Sequence, residues 1–166
     1  MTIPSFEIDH TRLNRGIYVS RVDSFEGVTL TTYDIRVCRP YKDKPIPGRV
    51  LHTIEHIGAA ILRNGPFAKR IVYFGPMGCR TGFYMIMKGE PNVDLATEMM
   101  RGVFEMVSEW DEDLPGMTER ECGNAHYHDL DGARELAKDF LSHEWHHEYP
   151  SEPTCGVAYS MTTTVR

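Results

Sequence analysis

Val50-Leu51-His52-Thr53-Ile54-Glu55-His56-Ile57-Gly58-Ala59-Ala60-Ile61-Leu62-Arg63 reads as one helix, and Asn64-Gly65-Pro66 closes it with a strong stop signal. Residues four apart on a helix share a face, one turn above the other. His52 and His56 can therefore present ring nitrogens to a single divalent metal. Glu55 lies next to that face, placed to move protons rather than to bind the ion. The bland alternative is a buried amphipathic helix, with Leu51, Ile54, Ile57, Ile61 and Leu62 as its apolar residues. That alternative must then explain the cost of burying two imidazoles and a carboxylate without partners.

Outward from this helix, residues 17–22 and 28–37 read as strands separated by a turn near Glu26-Gly27. Residues 39–48 hold three prolines and several charges, which makes them a loop. Beyond the helix, residues 71–74 read as a short strand. Gly75-Pro76-Met77-Gly78 follows as a turn with Cys79 directly after it, and residues 82–88 form another strand. Residues 91–110 read as a second helix, whose Val93, Leu95, Ala96, Met99, Met100, Val103, Phe104 and Val107 recur at helical spacing, the methionines serving as core filler. An acidic loop at 111–116 and a third helix at 130–145 come next, and the tail from Pro150 is small and polar, suited to the surface. Strands and helices follow one another without regular βαβ alternation. The expected fold is α+β in a single domain, an antiparallel sheet with helices packed on one face.

A chain of 166 residues can bury a real core, and its net charge of −6 without a long basic run disfavours nucleic-acid binding as the main role. No apolar stretch approaches the roughly 18 residues of a membrane span. Met1 to His10 carries no basic region followed by an apolar one, so a cytoplasmic location is the default expectation. Cys38, Cys79, Cys122 and Cys155 are widely spaced with no C-x-x-C pair. In a reducing compartment each is expected to be buried, catalytic or metal-bound.

A catalytic metal site usually has three protein ligands and an open position. The candidates for the third are Cys122, Glu121, Glu119, His126 and His128. A Cys122 thiolate suits zinc or ferrous iron, and Gly123 would let the backbone come close. Thr118-Glu119-Arg120-Glu121 also matches a helix capping box. Cys79 is flanked by Gly78 and Gly82, and an inward Arg80 would favour its thiolate. His143 and His147 have helical spacing that suits either a second metal site or, more simply, a solvated helix end. His126 and His128 alternate in a short polar segment and receive no role of their own. The order H-x-x-E-H is also the inverzincin peptidase signature, with Glu119 or Glu121 as third ligand, but that reading leaves Cys79 and its glycines without a task.

Five blocks together resemble the S-ribosylhomocysteine lyase (LuxS) family. They are Ser5-Phe6-Glu7-Ile8-Asp9-His10-Thr11, Tyr33-Asp34-Ile35-Arg36, His52-Thr53-Ile54-Glu55-His56 with Gly58 and Arg63-Asn64, Pro76-Met77-Gly78-Cys79-Arg80-Thr81-Gly82-Phe83-Tyr84, and Glu121-Cys122-Gly123-Asn124. The resemblance implies a homodimer of α+β subunits with active sites at the subunit interface. It implies a divalent metal, natively ferrous iron and replaceable by zinc or cobalt, bound by His52, His56 and Cys122. It implies Glu55 and Cys79 as acid/base residues, and Ser5, His10, Arg36 and Arg63 as pocket residues, some reaching across the dimer. The implied reaction cleaves the thioether of S-ribosylhomocysteine by carbonyl migration and β-elimination, giving homocysteine and 4,5-dihydroxypentane-2,3-dione, the precursor of autoinducer-2. The family usually carries an aspartate and then a small aliphatic residue before a Ser-Pro-Met-Gly-Cys stretch, where this chain runs Val72-Tyr73-Phe74-Gly75-Pro76.

Overall fold

The computed structural model describes residues 7–150. Strands β1 (Gly16–Phe25) and β2 (Val28–Arg36) form an antiparallel hairpin across Glu26-Gly27. Both turn residues have positive φ, 49° and 81°, the two-residue geometry whose twist matches the flanking strands. Strands β3 (Ile71–Pro76) and β4 (Gly82–Lys88) complete an antiparallel sheet in the order β1-β2-β4-β3. The turn expected at Gly75-Pro76 lies further on. Gly75 pairs with Tyr84 and Pro76 with Phe83, and the reversal falls at Met77–Arg80, where the Arg80 N–H donates to the Met77 carbonyl. Proline is tolerated there because β3 is an edge strand.

Side chains alternate across the sheet, so one face is apolar and the other mixed. Ile17, Tyr33, Ile35, Phe74, Phe83, Met85 and Met87 are buried under the helices. Helix α1 (Gly48–Asn64) lies on that face with Gly58 against Phe74. Helix α2 (Val93–Ser108) inserts Phe104 edge-on to Phe83, and α3 (Leu130–Leu141) brings Phe140 onto Phe104. One buried cluster thus runs from sheet to outer helix. The opposite face carries Tyr18, Asp34 and Arg36, all buried, with Tyr149 stacked on Tyr18 at 4.7 Å.

Two helices are shorter than their periodicity suggests. Helix α2 starts after Asn92, whose side chain accepts from the Leu95 N–H and fixes the first turn. Helix α3 starts after Asp129, which caps the Gly132 N–H, and ends at Ser142 rather than at Trp145. The chain then turns so that His146 bridges to the edge of β1, its carbonyl accepting from Ile17 and its N–H donating to the Arg15 carbonyl. Trp145 stacks on Phe140 at 4.3 Å and is buried. His143, His146 and His147 therefore do not share a helix face. His143 folds back instead, its Nδ1–H donating to the Asp139 carbonyl.

Candidate active site

Helix α1 carries His52 and His56 on its exposed side while Val50, Ile54 and Ile57 bury the other. Each imidazole is held by its Nδ1. That of His52 is 2.8 Å from the Tyr127 carbonyl and that of His56 is 2.7 Å from the Pro115 carbonyl. A carbonyl only accepts, so both Nδ1 atoms carry the proton and both Nε2 atoms present lone pairs. Ligating histidines are usually oriented in this way. The segments that supply those carbonyls are fixed in turn: Gly116 beside His56 adopts φ +70°, which favours glycine.

The third donor arrives from a turn, not from a helix. Thr118 and Glu121 do pair side chain to side chain at 2.6 Å, and the Cys122 N–H donates to the Thr118 carbonyl, but no helix follows the box. Cys122 Sγ then lies 3.5 Å from His52 Nε2. Donors bonded to one tetrahedral ion at ~2.0–2.3 Å lie roughly 3.3–3.7 Å apart. The Asn124 N–H donates to the sulfur at 3.4 Å, which suits a thiolate. Gly123 is not sterically required, since a Cβ there would meet nothing within 4 Å.

His128 completes the group. His52, His56, Cys122 and His128 hold their ligand atoms within 4.8 Å of one another. Thr53 Oγ1 donates to the Arg49 carbonyl, so it accepts from the Asp129 N–H and from His128 Nδ1 at 3.3 Å. The Nε2 of His128 is buried without a partner. Burial, with His52 and His56 beside it, pushes His128 down to about 4, so the ring is neutral at pH 7. His56 meets both His52 and His128 edge to face, at 83° and 77°, while His52 and His128 stack at 15° and 4.1 Å. The donor set, an orphaned buried nitrogen beside three converging soft and borderline donors, fits a divalent transition metal. Glu55 is half-buried on the same helix.

Cys79 sits on the Met77–Arg80 turn and is exposed. Arg80, which would favour the thiolate only from an inward position, is exposed with φ 59°. The cation beside the sulfur is Arg36, with Nη1 3.8 Å from Sγ. Arg36 is itself buried and paired with Asp34 through two hydrogen bonds at 3.1 and 2.5 Å. Thr81 Oγ1 lies 3.1 Å from Sγ. Burial pushes the Cys79 thiol up, but the Thr81 hydroxyl and N–H together with Arg36 pull it further the other way, so its net value is lowered. Gly82 closes the turn: a Cβ there would collide with the Ile35 carbonyl, so only glycine lets β4 begin this close to β2. A cavity of about 540 Å³ opens over Cys79, lined by His10, Arg36, Thr81 and residues 40–45.

The structure thus gathers the sequence-predicted residues into two groups that share no member. His10, Arg36 and Cys79 meet in the cavity, and His52, His56 and Cys122 bring their ligand atoms together, joined by His128. Arg63 is exposed at the far end of α1, donating to the Val72 carbonyl at 3.3 Å. Ser5 and Cys155 lie outside the described residues. Cys38 is buried, and burial raises its thiol to about 11. Where the chain departs from the family pattern, Tyr73 and Gly75 go together. A Cβ at Gly75 would collide with Tyr73 Oη, so glycine makes room for the tyrosine.

A sheet turn that sets Cys79 in a cavity, and a helix and a turn that bring His52 and His56 to Cys122, describe a protein with a site suited to a divalent metal. The family model for S-ribosylhomocysteinase (LuxS) matches residues 3–150. The S-ribosylhomocysteine lyase of Borreliella burgdorferi is 47% identical over 140 residues, covering 84% of this chain and 89% of that one. Those of Phocaeicola vulgatus and Desulfotalea psychrophila are 46% and 44% identical over 141 residues, each covering 84% of this chain and 88% and 89% of theirs. The chain belongs to the S-ribosylhomocysteinase (LuxS) family.

Proposed function

We propose that this protein cleaves the thioether of S-ribosylhomocysteine to homocysteine and 4,5-dihydroxypentane-2,3-dione, with a divalent metal held by His52, His56 and Cys122. The observation that carries the reading is the meeting of Cys122 with His52 across 70 residues of chain, in a member of this family. Bound there, the metal supplies Lewis-acid polarisation of the ribose oxygens. Ferrous iron is the native ion in this reading, and zinc or cobalt suit the same thiolate and imidazole donors.

The substrate's chemistry sets the tasks of the protein's residues. Elimination of the sulfur needs a carbonyl β to it, whereas the ribose carbonyl starts at C1. It must therefore move to C2 and then to C3. Each move removes a proton next to a carbonyl and returns one to its neighbour. Cys79, held toward its thiolate, takes the carbon-bound proton. Glu55, next to the ligating face of α1, passes protons between oxygens and carbon. His10 and Arg36 line the cavity over Cys79 and hold the sugar, and Ser5 and Arg63 join them as substrate-binding residues on the family resemblance.

The working unit in this reading is a homodimer with shared sites, the metal group of one subunit facing the cavity of its partner. The separate membership of the two groups supports this. The free thiols of Cys38, Cys79 and Cys122 suit a reducing, cytoplasmic location, and no helix among the described residues is long and apolar enough to cross a membrane. Anaerobically purified protein mixed with S-ribosylhomocysteine and a thiol-reactive dye tests the reaction: metal-dependent thiol release is expected, and none at all would sink it.

A further inference from the structure

The polar contacts beneath Cys79 can be assigned donor by donor. Asp34 takes two hydrogen bonds from Arg36, through Nε and Nη2. That pairing leaves Nη1 to point at the turn, where it lies 2.5 Å from Thr81 Oγ1 and 3.8 Å from Cys79 Sγ. A guanidinium only donates, so Thr81 Oγ1 must accept from Arg36. The hydroxyl has one proton, and its other neighbour is Cys79 Sγ at 3.1 Å. Cys79 Sγ is the partner that gives that proton an acceptor, and with it the oxygen donates and the sulfur accepts. Thr81 is buried, whereas Cys79 is exposed at the cavity.

We propose that Thr81 is a positioning residue for Cys79, relaying the polarisation of the Arg36 guanidinium, which Asp34 holds in place, to the sulfur by donating its only hydroxyl proton to Sγ. A thiolate accepts such a bond more strongly than a thiol does. The contact therefore fixes both the orientation of the sulfur over the cavity and its ionised form. This deepens the lyase reading, in which Cys79 is the base, but the contact itself does not depend on that reading.

The test is the pH profile of Cys79 alkylation by iodoacetamide in the metal-loaded full chain, resolved by peptide mass spectrometry so that Cys38, Cys122 and Cys155 are counted apart. Thr81→Val should move the midpoint up by about one unit or more, roughly a tenfold change in the ionisation constant. Thr81→Ser, which restores the hydroxyl, should return the midpoint to the wild-type value. A Thr81→Val profile that superimposes on wild type overturns the proposal. So does a Thr81→Ser profile shifted as far as that of Thr81→Val. Circular dichroism checks folding, and Thr81→Ala carries the same expectation if the valine variant does not fold. Thiol release from S-ribosylhomocysteine is followed separately. A shifted Thr81→Val profile beside a wild-type protein that releases no thiol would keep Thr81's role and sink the lyase reading, whereas thiol release by the wild type beside an unmoved Thr81→Val profile would do the reverse.

Discussion

Cys122 Sγ and His52 Nε2 face each other at 3.5 Å, the separation of two donors that share one tetrahedral cation. Cys122→Ala should therefore lose most bound metal, read by elemental analysis of the purified protein, and stoichiometric metal would remove Cys122 from the ligand set. Glu55 makes a different expectation, because it flanks the ligating face. Glu55→Gln should keep its metal while lowering turnover by at least about a hundredfold, the lower end of general acid–base contributions. Near-normal turnover would take Glu55 out of the mechanism. At this scale the local motif was legible and the partners were not. The i, i+4 histidines could be read from one turn of helix, but Arg36 and not Arg80 approaches the Cys79 sulfur because the Arg80 backbone turns left-handed and carries its side chain out to solvent. His128 stood only among several possible ligands and then received no role of its own. What brings it to the site is Thr53, whose hydroxyl is engaged with Arg49 inside the helix and so must accept from its neighbours across the fold.

Elements obey the same division between local and distant causes. Strand alternation and helical periodicity gave the four strands and three long helices, since those signals are written in consecutive side chains. The boundaries that moved were decided by pairing: Pro76 stays in β3 because it sits on the sheet edge, and α3 stops at Ser142 because Trp145 has Phe140 to stack on. Gly58 shows how two element-scale effects compete. Alanine there would favour helix by up to about 1 kcal/mol. Its Cβ would also lie 2.6 Å from the ring of Phe74, which is buried and stacked on Phe83. Overpacking of this kind costs about 1–3 kcal/mol, so Gly58→Ala should destabilise, with a melting temperature lower by a few degrees. A higher melting temperature would show that Phe74 can give way. The cavity loop is pinned by Asp43, which accepts from Arg39 and pairs with Arg15 at 3.2 Å. The hydrogen bond from Arg39, foremost, holds its carboxyl at about 2, below the ordinary 3.8. A depressed carboxyl stabilises above its unfolded value and loses that contribution as the pH falls through the folded one. The gap in melting temperature between wild type and Asp43→Asn should therefore be steady above about pH 5 and close between about pH 4 and pH 2. A gap independent of pH would mean that the loop is held some other way.

The whole molecule raises a question that neither residue nor element answers, which is how the metal group and the thiolate cavity act on one sugar. Their memberships are disjoint: His10, Arg36 and Cys79 on one side, His52, His56, Cys122 and the neighbouring Glu55 on the other. If each site joins the metal group of one subunit to the cavity of its partner, lesions in the two groups should complement. Glu55→Gln and Cys79→Ala subunits, each inactive as homodimers, would then form a heterodimer with two unlike sites. One site takes the Glu55→Gln metal group and the Cys79→Ala cavity and carries both lesions. The other takes the two intact halves and works. Mixed dimers, purified by two affinity tags, should regain about half of the wild-type turnover per dimer, because one of the two sites is whole. If Glu55 and Cys79 of the same subunit cooperate instead, every site carries one lesion and activity stays at the level of the single variants. Wild-type turnover by a species that sediments as a monomer would also exclude the shared arrangement, since one subunit would then hold everything the reaction needs.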